Sequence, residues 1–296
     1  MNTIVLMSTY NGEKYLKEQI DSLLKQKQNN INILIRDDGS TDNTLEILKF
    51  YCSKNKNINY YVGENLGPAK SFLDLLVNAG DFDYYCFCDQ DDFWHDNKIS
   101  SAVELLKNEK EKPALYYSEV NIVDKNLNFI SKTNYCGIDS VGASFSVTPV
   151  IGCTLVINKK LRDIVIKHIP EKIAMHDSWI YRVCLAISGT VIHDHNAYID
   201  YRQHENNVIG ISASKIDKIR RYIHHKGNRV WTAKNLLETF GDRISTNNKE
   251  TILKIAMFKK NKNIIYKFSY IFDRRYRSHK LKSDFKFALD ILSNKL

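Results

Sequence analysis

Three carboxylates, Asp89, Asp91 and Asp92, fall within four positions directly after the apolar run Tyr84-Tyr85-Cys86-Phe87-Cys88. The run reads as a buried strand. Aspartate is a poor strand former, and neighbouring aspartates repel one another. Such a cluster suits a strand end where a divalent cation neutralises it. Asp89 and Asp91 are two apart, so on an extended chain they point to one side. Hard oxygen ligands suit Mg²⁺ or Mn²⁺, ions commonly shared with substrate phosphates. A solvated acidic turn is the alternative reading of this stretch taken alone.

The elements that position the cluster follow from the preceding hundred residues. Residues 3–8 form an apolar strand, and Thr9-Tyr10-Asn11-Gly12 a turn. A helix over about 13–27 carries Leu16, Ile20, Leu23 and Leu24 on one face. Residues 31–35 form a second strand, ending in Arg36-Asp37-Asp38-Gly39-Ser40-Thr41-Asp42. Its Asp-Gly pair marks a tight turn, and Asp42 or Asn43 can cap the next helix. A third strand at 59–62 leads into Gly63-Glu64-Asn65-Leu66-Gly67, and Pro68 suits the first turn of another helix. Strands alternating with helices predict an α/β, doubly wound, mostly parallel sheet of Rossmann-like type. Such sheets bind ligands outside the carboxyl ends of their strands. Asn11, Asp38, Asn65 and the Asp89/Asp91 pair all fall there.

Further on, strands are expected at 116–117, 120–123, 152–157, 190–193 and 197–201. Residues 125–150 read as an irregular acceptor-binding loop, and a helix is expected to start near Met175-His176-Asp177-Ser178-Trp179. His193 and His195 form a His-x-His pair on a strand and turn with no partner set, so no zinc site is read there.

The 296 residues suffice for one large α/β domain with an appendage. With 4 Pro and 12 Gly, long disordered linkers are not expected. No apolar run approaches the roughly 18 residues of a membrane span, and Met1 to Met7 lacks the basic region of a signal peptide. Six scattered cysteines (52, 86, 88, 136, 153, 184) without a Cys-x-x-Cys pair fit a reduced cytoplasmic compartment, with Cys86 and Cys88 as inert core thiols. Charge is uneven. Residues 1–214 carry 22 Lys+Arg against 27 Asp+Glu, and residues 215–296 carry 21 against 7. That contrast suggests an acidic, metal-using body and a basic tail that meets an anionic partner.

Taken together, the motifs resemble the inverting family 2 glycosyltransferases of the GT-A fold. The resemblance rests on Thr9-Tyr10-Asn11-Gly12, Asp37-Asp38-Gly39-Ser40-Thr41-Asp42, Asn65-Leu66-Gly67, Asp89-Gln90-Asp91-Asp92-x-Trp94, His176-Asp177-Ser178-Trp179 and Tyr201-Arg202-Gln203-His204-x-x-Asn207-x-x-Gly210. It covers roughly residues 1–210 and looks nearest to the rhamnosyltransferase-like branch of bacterial surface-polysaccharide synthesis. It implies a GT-A domain over 1–212, with a nucleotide-sugar half to about 110 and an acceptor half from 111, followed by a basic helical region over 213–296.

The resemblance also implies roles. Thr9, Tyr10, Asn11 and Asn65 would line the nucleotide pocket, and Asp38 would accept a hydrogen bond from the pyrimidine N–H. Asp89 would meet the ribose or the metal, and Asp91 would ligate the metal, Mn²⁺ or Mg²⁺, that bridges the diphosphate. Arg202 suits phosphate, and His204 suits the metal. Asp177 is the candidate general base. His176 and Trp179 would orient it or touch the acceptor. Turn capping is the alternative for Asp38 and Asp92, an Asx turn for Asn65, helix capping for Asp177, ordinary packing for His176, and a surface salt-bridging pair for Arg202 and His204. Two departures stand out. His-Asp occupies the base position where many relatives have Glu-Asp or Asp-Asp, and the Gln-x-x-Arg-Trp motif of processive synthases is absent, which favours a single transfer.

The implied donor is dTDP-rhamnose, with UDP-galactose or a UDP-N-acetylhexosamine as alternatives. The implied acceptor is a glycan or lipid-diphosphate-linked glycan of a capsule, O-antigen or cell wall. In the tail, Ile264, Phe268 and Ile271 share a face, as do Ile265, Phe268 and Phe272, with Lys259, Lys260, Lys262 and Lys267 interleaved and Arg274, Arg275 and Arg277 following. Residues 255–282 therefore read as an interfacial amphipathic segment for anionic lipid on the inner face of the membrane, or as a packed helix with a solvated basic face. No nucleic acid is expected. The competing functions are a sugar nucleotidyltransferase, which lacks its Gly-rich basic loop here, and a non-catalytic binding module.

Overall fold

The computed structural model describes residues 1–28, 30–135, 137–204, 228–259, 263–278 and 280–296. Cys136, Asn207, Gly210, Lys260 and Lys262 therefore lie outside the described residues. The chain divides into two compact units. The first comprises residues 1–135, 150–180 and 189–207, and the second residues 136–149, 181–188 and 208–296.

The first unit is the expected mixed α/β sheet. Strands β1 (Thr3–Thr9), β2 (Ile31–Asp37), β3 (Ile58–Val62) and β4 (Tyr84–Cys88) alternate with helices α1 (Leu16–Leu24), α2 (Thr44–Lys54) and α3 (Pro68–Asn78). β5 (Phe93–Trp94), α4 (Lys98–Leu106), β6 (Ala114–Val123) and β7 (Phe129–Lys132) follow. A second-unit helix, α5 (Val141–Ser144), precedes β8 (Val156–Asn158), α6 (Lys159–Val165), α7 (His176–Ala186) and β9 (Thr190–Arg202). Among the described residues the sheet has nine strands, in the order β3-β2-β1-β4-β8-β6-β9-β5, with β7 beside β6. β1 is parallel to β2 and β4, β2 to β3, and β6 to β9. β8 runs antiparallel to both β4 and β6, so β4 and β6 point the same way.

Alternation along β4 decides what lies on each face. Tyr84, Cys86 and Cys88 join the core made with Leu16, Ile20 and Leu23 of α1 and Ile99 and Val103 of α4. Phe87 faces the other way, its ring 5.9 Å from that of Phe72 in α3. Each such fully buried side chain contributes about 1.5–3 kcal/mol.

Several expected boundaries shift. The first helix is shorter than 13–27, because Gly12 and Glu13 belong to a turn hydrogen-bonded to the next loop. Residues 116–123 form one strand with 114–115, and the polar Ser118 and Glu119 that seemed to interrupt it are buried in pairing with β9. The expected strand 152–157 begins as a 3-10 turn over Gly152–Thr154. Residues 190–201 form a single long strand, bulged where Ser118 pairs Asp194 but Glu119 pairs Ala197. The expected loop 125–150 contains β7 and α5, and its residues 136–149 pack in the second unit.

That unit is helical, with α8 (Arg229–Phe240), α9 (Thr246–Ala256), α10 (Ile264–Ile271) and α11 (Leu281–Leu292). Residues 136–149 and 181–188 are built into it. The Tyr181 hydroxyl donates to the Ile138 carbonyl, and Arg182 Nη2 to the Ser144 carbonyl at 3.0 Å. Arg229 pairs with Asp290 at 2.7 Å. No helix among the described residues is long and apolar enough to cross a membrane.

β5 hangs on β9 by two residue pairs and is braced by His95 Nε2 against Asp200 Oδ1 at 3.0 Å. Asp200 raises the His95 pKa above its ordinary 6.5, while the hydrogen bonds of His95 and Asn121 hold Asp200 below the usual carboxylate range against the opposing effect of burial. A raised folded-state pKa means that the pair stabilises fully below 6.5 and loses that contribution as pH rises through the folded value. His95→Gln should therefore lower the melting temperature clearly at about pH 6 and barely at about pH 8.5. An equal loss at both would show that the ion pair contributes nothing.

Candidate active site

The carboxyl ends of β1, β2 and β4 carry the polar loops. Asp37 is fully buried and organises its own turn, accepting from Thr9 Oγ1 at 3.0 Å, Ser40 N at 2.8 Å and Ser40 Oγ at 2.6 Å. Asp38 is buried too. It pairs with Arg36 and accepts from Leu66 N at 2.9 Å and Gly67 N at 2.8 Å. It thus ties the loop after β3 to the loop after β2, and a pyrimidine N–H would have to share those partners. Gly67 enters this contact with φ of 74°, a backbone conformation that costs glycine little. Asn65 Oδ1 accepts from Gly67 N at 3.2 Å, closing an Asx turn.

The first loop is held by side chains rather than by a helix cap. Gln90 grips Tyr10 twice, accepting from its N–H at 2.9 Å and donating to its carbonyl at 3.1 Å. A Cβ at Gly12 would collide with that carboxamide. Asn11, with φ of 48°, accepts from Thr41 N at 2.8 Å. These contacts use the backbone of Tyr10 and leave its ring open, at 48% exposure.

Beyond β4 the carboxylates converge. Burial, then the charges of Asp91 and Asp177, push the Asp89 carboxyl up to about 7. Burial, then Asp91 and Asp89, push Asp92 well above the usual range. Asp92 accepts from Arg202 N at 3.1 Å and lies against the Cys153 thiol, so it faces inward. Asp91 Oδ2 meets His204 Nε2 at 2.8 Å. The structure therefore brings Asp91 to His204, and Asp89 to Asp92 and Cys153.

His176 explains how Asp177 comes beside the end of β4. Its ring is buried between Phe72 and Phe87, with centroids 4.2 and 5.3 Å away, and burial lowers its pKa to about 3. It is neutral at ordinary pH, and neither ring nitrogen has a hydrogen-bond partner. By stacking on Phe87 it sets the start of α7 beside the end of β4, two residues before Asp89. Asp177 occupies the first turn of α7, where the helix dipole favours a carboxylate, and is 8% exposed. Gly152 leaves the necessary room, since a Cβ there would sit 3.0 Å from His176 Nε2. Trp179 is buried in the same helix.

Arg202 closes the far side. Nε donates to the Asp91 carbonyl at 2.8 Å, Nη1 to the Lys125 carbonyl at 2.7 Å, and Nη2 to Glu18, while the guanidinium lies 4.5 Å from the Tyr15 ring centroid. Its visible work is therefore to hold the acidic loop. A cleft of about 550 Å³ opens here, lined by Lys14, Tyr15, Glu18, Lys125 and Arg202 among others. Sequence reading missed Gln90, Glu18 and Cys153, whose partners Tyr10, Arg202 and Asp92 are distant in the chain, and Arg36, which pairs with nearby Asp38 and with distant Asp74.

The donor set fits a hard divalent cation. Asp91 and His204 are in contact, and donor atoms of Asp89, Asp92 and Cys153 lie within 4.8 Å of one another, where burial and, second to it, neighbouring carboxylates disfavour the ionised form of Asp89.

A glycosyl transferase family 2 model matches residues 4–163, which span β1 through most of α6. The chain belongs to glycosyl transferase family 2. It is accordingly a glycosyltransferase. It is 34% identical over 233 residues to a dTDP-rhamnosyl transferase, RfbG, of Shigella flexneri, covering 73% of this chain and 77% of that one. It is 26% identical over 222 residues to an uncharacterized glycosyltransferase of Rickettsia typhi, covering 72% and 68%. Among solved structures, S. aureus TarS 1-349 in complex with UDP-GlcNAc matches all of this chain and 82% of that one, with TM-score 0.57 and 17% identity. Mannosyltransferase PcManGT of Pyrobaculum calidifontis, in complex with GDP-Man and Mn²⁺, matches with TM-score 0.54 and 14% identity, covering 100% and 88%. These two likenesses place the fold among the glycosyltransferases.

For this family 2 chain, Arg202→Lys keeps the charge and loses the fork. It should lower unfolding free energy by about 2–4 kcal/mol, since Arg202 is buried against charged and carbonyl acceptors. An unchanged urea midpoint would show that the clamp does not hold the loop.

Proposed function

We propose that the chain is an inverting, metal-dependent transferase that moves one sugar from a pyrimidine nucleotide donor, dTDP-rhamnose by preference, to a glycan or lipid-linked glycan acceptor of a bacterial surface polysaccharide. The observation that supports the mechanism is the contact of Asp91 with His204 beyond β4, together with the buried Asp177 carboxyl in the first turn of α7. The donor preference rests on the Shigella relative alone.

Tyr10 offers its open ring to the base, and Thr9, Asn11 and Asn65 shape the surrounding loop. Asp38, clamped by Arg36, fixes the distance between the loops after β2 and β3. Lys14 and Lys125 give the neighbouring cleft cationic ammonium groups for the anionic donor. Asp91, Asp89 and His204 would hold Mn²⁺ or Mg²⁺, which supplies neutralisation of charge on the departing diphosphate. Asp177 takes the proton from the acceptor hydroxyl as that oxygen bonds to the anomeric carbon. The bond from the anomeric carbon to the diphosphate oxygen breaks with its electron pair leaving on the diphosphate. Attack from the face opposite the leaving group inverts the centre. Trp179 and His176 position the carboxylate and do not titrate near neutrality on its behalf.

Asp177→Asn should keep donor binding and lower turnover by about 10²–10⁴-fold, measured as release of the nucleoside diphosphate with and without acceptor. Asp91→Asn should abolish Mn²⁺-dependent donor binding in calorimetry. Full turnover in both variants would leave only the fold-level reading.

The second unit suits a peripheral place on anionic lipid. On α10, Ile265, Phe268 and Phe272 are exposed on one face, Ile265 at 77%. On α11, Leu281, Phe285, Leu289 and Leu292 form an exposed stripe, with Lys282 and Lys286 exposed beside it. Lys267, expected on the basic face, is instead buried and donates to the Leu292 carbonyl at 2.5 Å. The full chain should co-sediment with vesicles containing anionic phospholipid. Phe268→Glu with Phe285→Glu should abolish this without loss of donor binding, and absence of wild-type binding would sink the membrane reading.

A further inference from the structure

A second polar cluster lies midway along the parallel pair β6 and β9. Asp194 pairs with Ser118 and Ala197 with Glu119, so two extra residues, His195 and Asn196, are bulged out of β9. Bulges of this kind re-aim side chains. His193 and His195, two apart, end with ring centroids 4.4 Å from each other. Glu119 comes to them from β6, its Oε1 2.9 Å from His193 Nε2. The reading of this pair as lacking a partner is thereby corrected, because the third group lies 74 residues away in sequence and adjacent only through strand pairing.

Two features make this more than an ion pair. Ligand atoms of Glu119, His193 and His195 all lie within 4.8 Å of one another, although each belongs to a different backbone position of the bulged ladder. Glu119 is 1% exposed, yet its Oε2 has no hydrogen-bond partner, and neither has His193 Nδ1. Buried polar atoms are normally satisfied, and one left bare next to two imidazoles asks for a missing partner. The remaining contacts orient the set. Tyr135 N donates to Glu119 Oε1 at 2.7 Å, and the Tyr117 ring stacks on His193 with centroids 4.5 Å apart. His195 is exposed, so an ion can enter from solvent.

We propose that Glu119, His193 and His195 form a binding site for a divalent transition-metal ion of the zinc class. Two imidazoles and one carboxylate are the donor types that zinc accepts, with remaining positions left to water. The site is independent of the cation proposed for Asp89, Asp91 and His204. Its position suggests a staple, since the bulge it would pin leads along β9 to Asp200 and Arg202.

The test uses the full chain stripped with chelator and then titrated with ZnCl₂ or CoCl₂. Asp91→Asn removes the other cation site from the count and should still bind one zinc with a raised melting temperature. Adding His195→Ala, at an exposed position that the fold tolerates, should weaken that binding at least 100-fold. Glu119→Gln should do the same where it folds. Bound Co²⁺ should give ligand-field bands without the intense near-ultraviolet thiolate band that Cys153 would supply. Absence of zinc binding in Asp91→Asn, zinc binding unaffected by His195→Ala, or a thiolate band would each overturn the proposal. Because the readouts are metal binding and stability, its failure would leave the transferase reading untouched.

Discussion

Like charge at the end of β4 is the constraint around which the first unit is arranged. Asp89, Asp91 and Asp92 follow a strand whose five residues are all buried, so the chain delivers three carboxylates to a place where water cannot screen them fully. Such groups repel, and burial penalises the ionised form of each. The structure gives them different partners. Asp92 turns inward to the Arg202 N–H and Cys153, and Asp91 turns to His204. Donor atoms of Asp89 and Asp92 nevertheless stay within 4.8 Å of one another and of the Cys153 sulfur, a grouping that could hold a metal ion.

Two buried arginines do comparable work on opposite sides of that strand. Arg36 holds Asp38 and Asp74 and donates to the Glu64 carbonyl, locking the loops after β2 and β3. Arg202 bridges the Asp91 carbonyl, the Lys125 carbonyl and Glu18, locking the loop after β4 to the ends of α1 and β6. A planar guanidinium with fixed donor directions can span three elements at once, which an ammonium cannot. Both arginines spend their hydrogen bonds on backbone carbonyls and carboxylates of the loops, so the loops rather than the arginines present polar atoms to a ligand.

The sheet was legible because its signals are local. Apolar runs ended by Asn-Gly, Asp-Gly or Asp clusters place the first four strands and the edge on which ligands sit, and the model match over residues 4–163 covers the same stretch. What the sequence hid depends on pairing between distant segments. Ser118 and Glu119 looked like a break in β6, yet both are buried against β9. His176 looked like a candidate for chemistry, yet aromatic rings 104 and 89 positions away enclose it. Glu18 carries no motif, and Gln90 lies within one that gives it no role; what each does appears only where Arg202 meets Glu18 and Gln90 meets Tyr10. In each case the partner lies far away in sequence, so the role appears only through long-range pairing.

Pairing also tempers the charge contrast between the two parts of the chain. The tail's excess of cations suggested a basic tail that meets an anionic partner, but Arg229 is spent on Asp290, Lys254 and Arg275 on Asp273, and Lys267 on a helix-end carbonyl. Asp273 is held well below the usual carboxylate range, first by Arg275 and, against the opposing effect of burial, by Lys254, so those cations are neutralised over the whole physiological range. The charge left to meet a partner is carried by residues such as Lys282, Lys286 and Arg274, exposed on or near the helices that also expose Phe268, Phe272 and Phe285. Apolar side chains and free cations on the same helices are what an anionic lipid surface accepts together. A purely polyanionic partner would find no use for the phenyl rings.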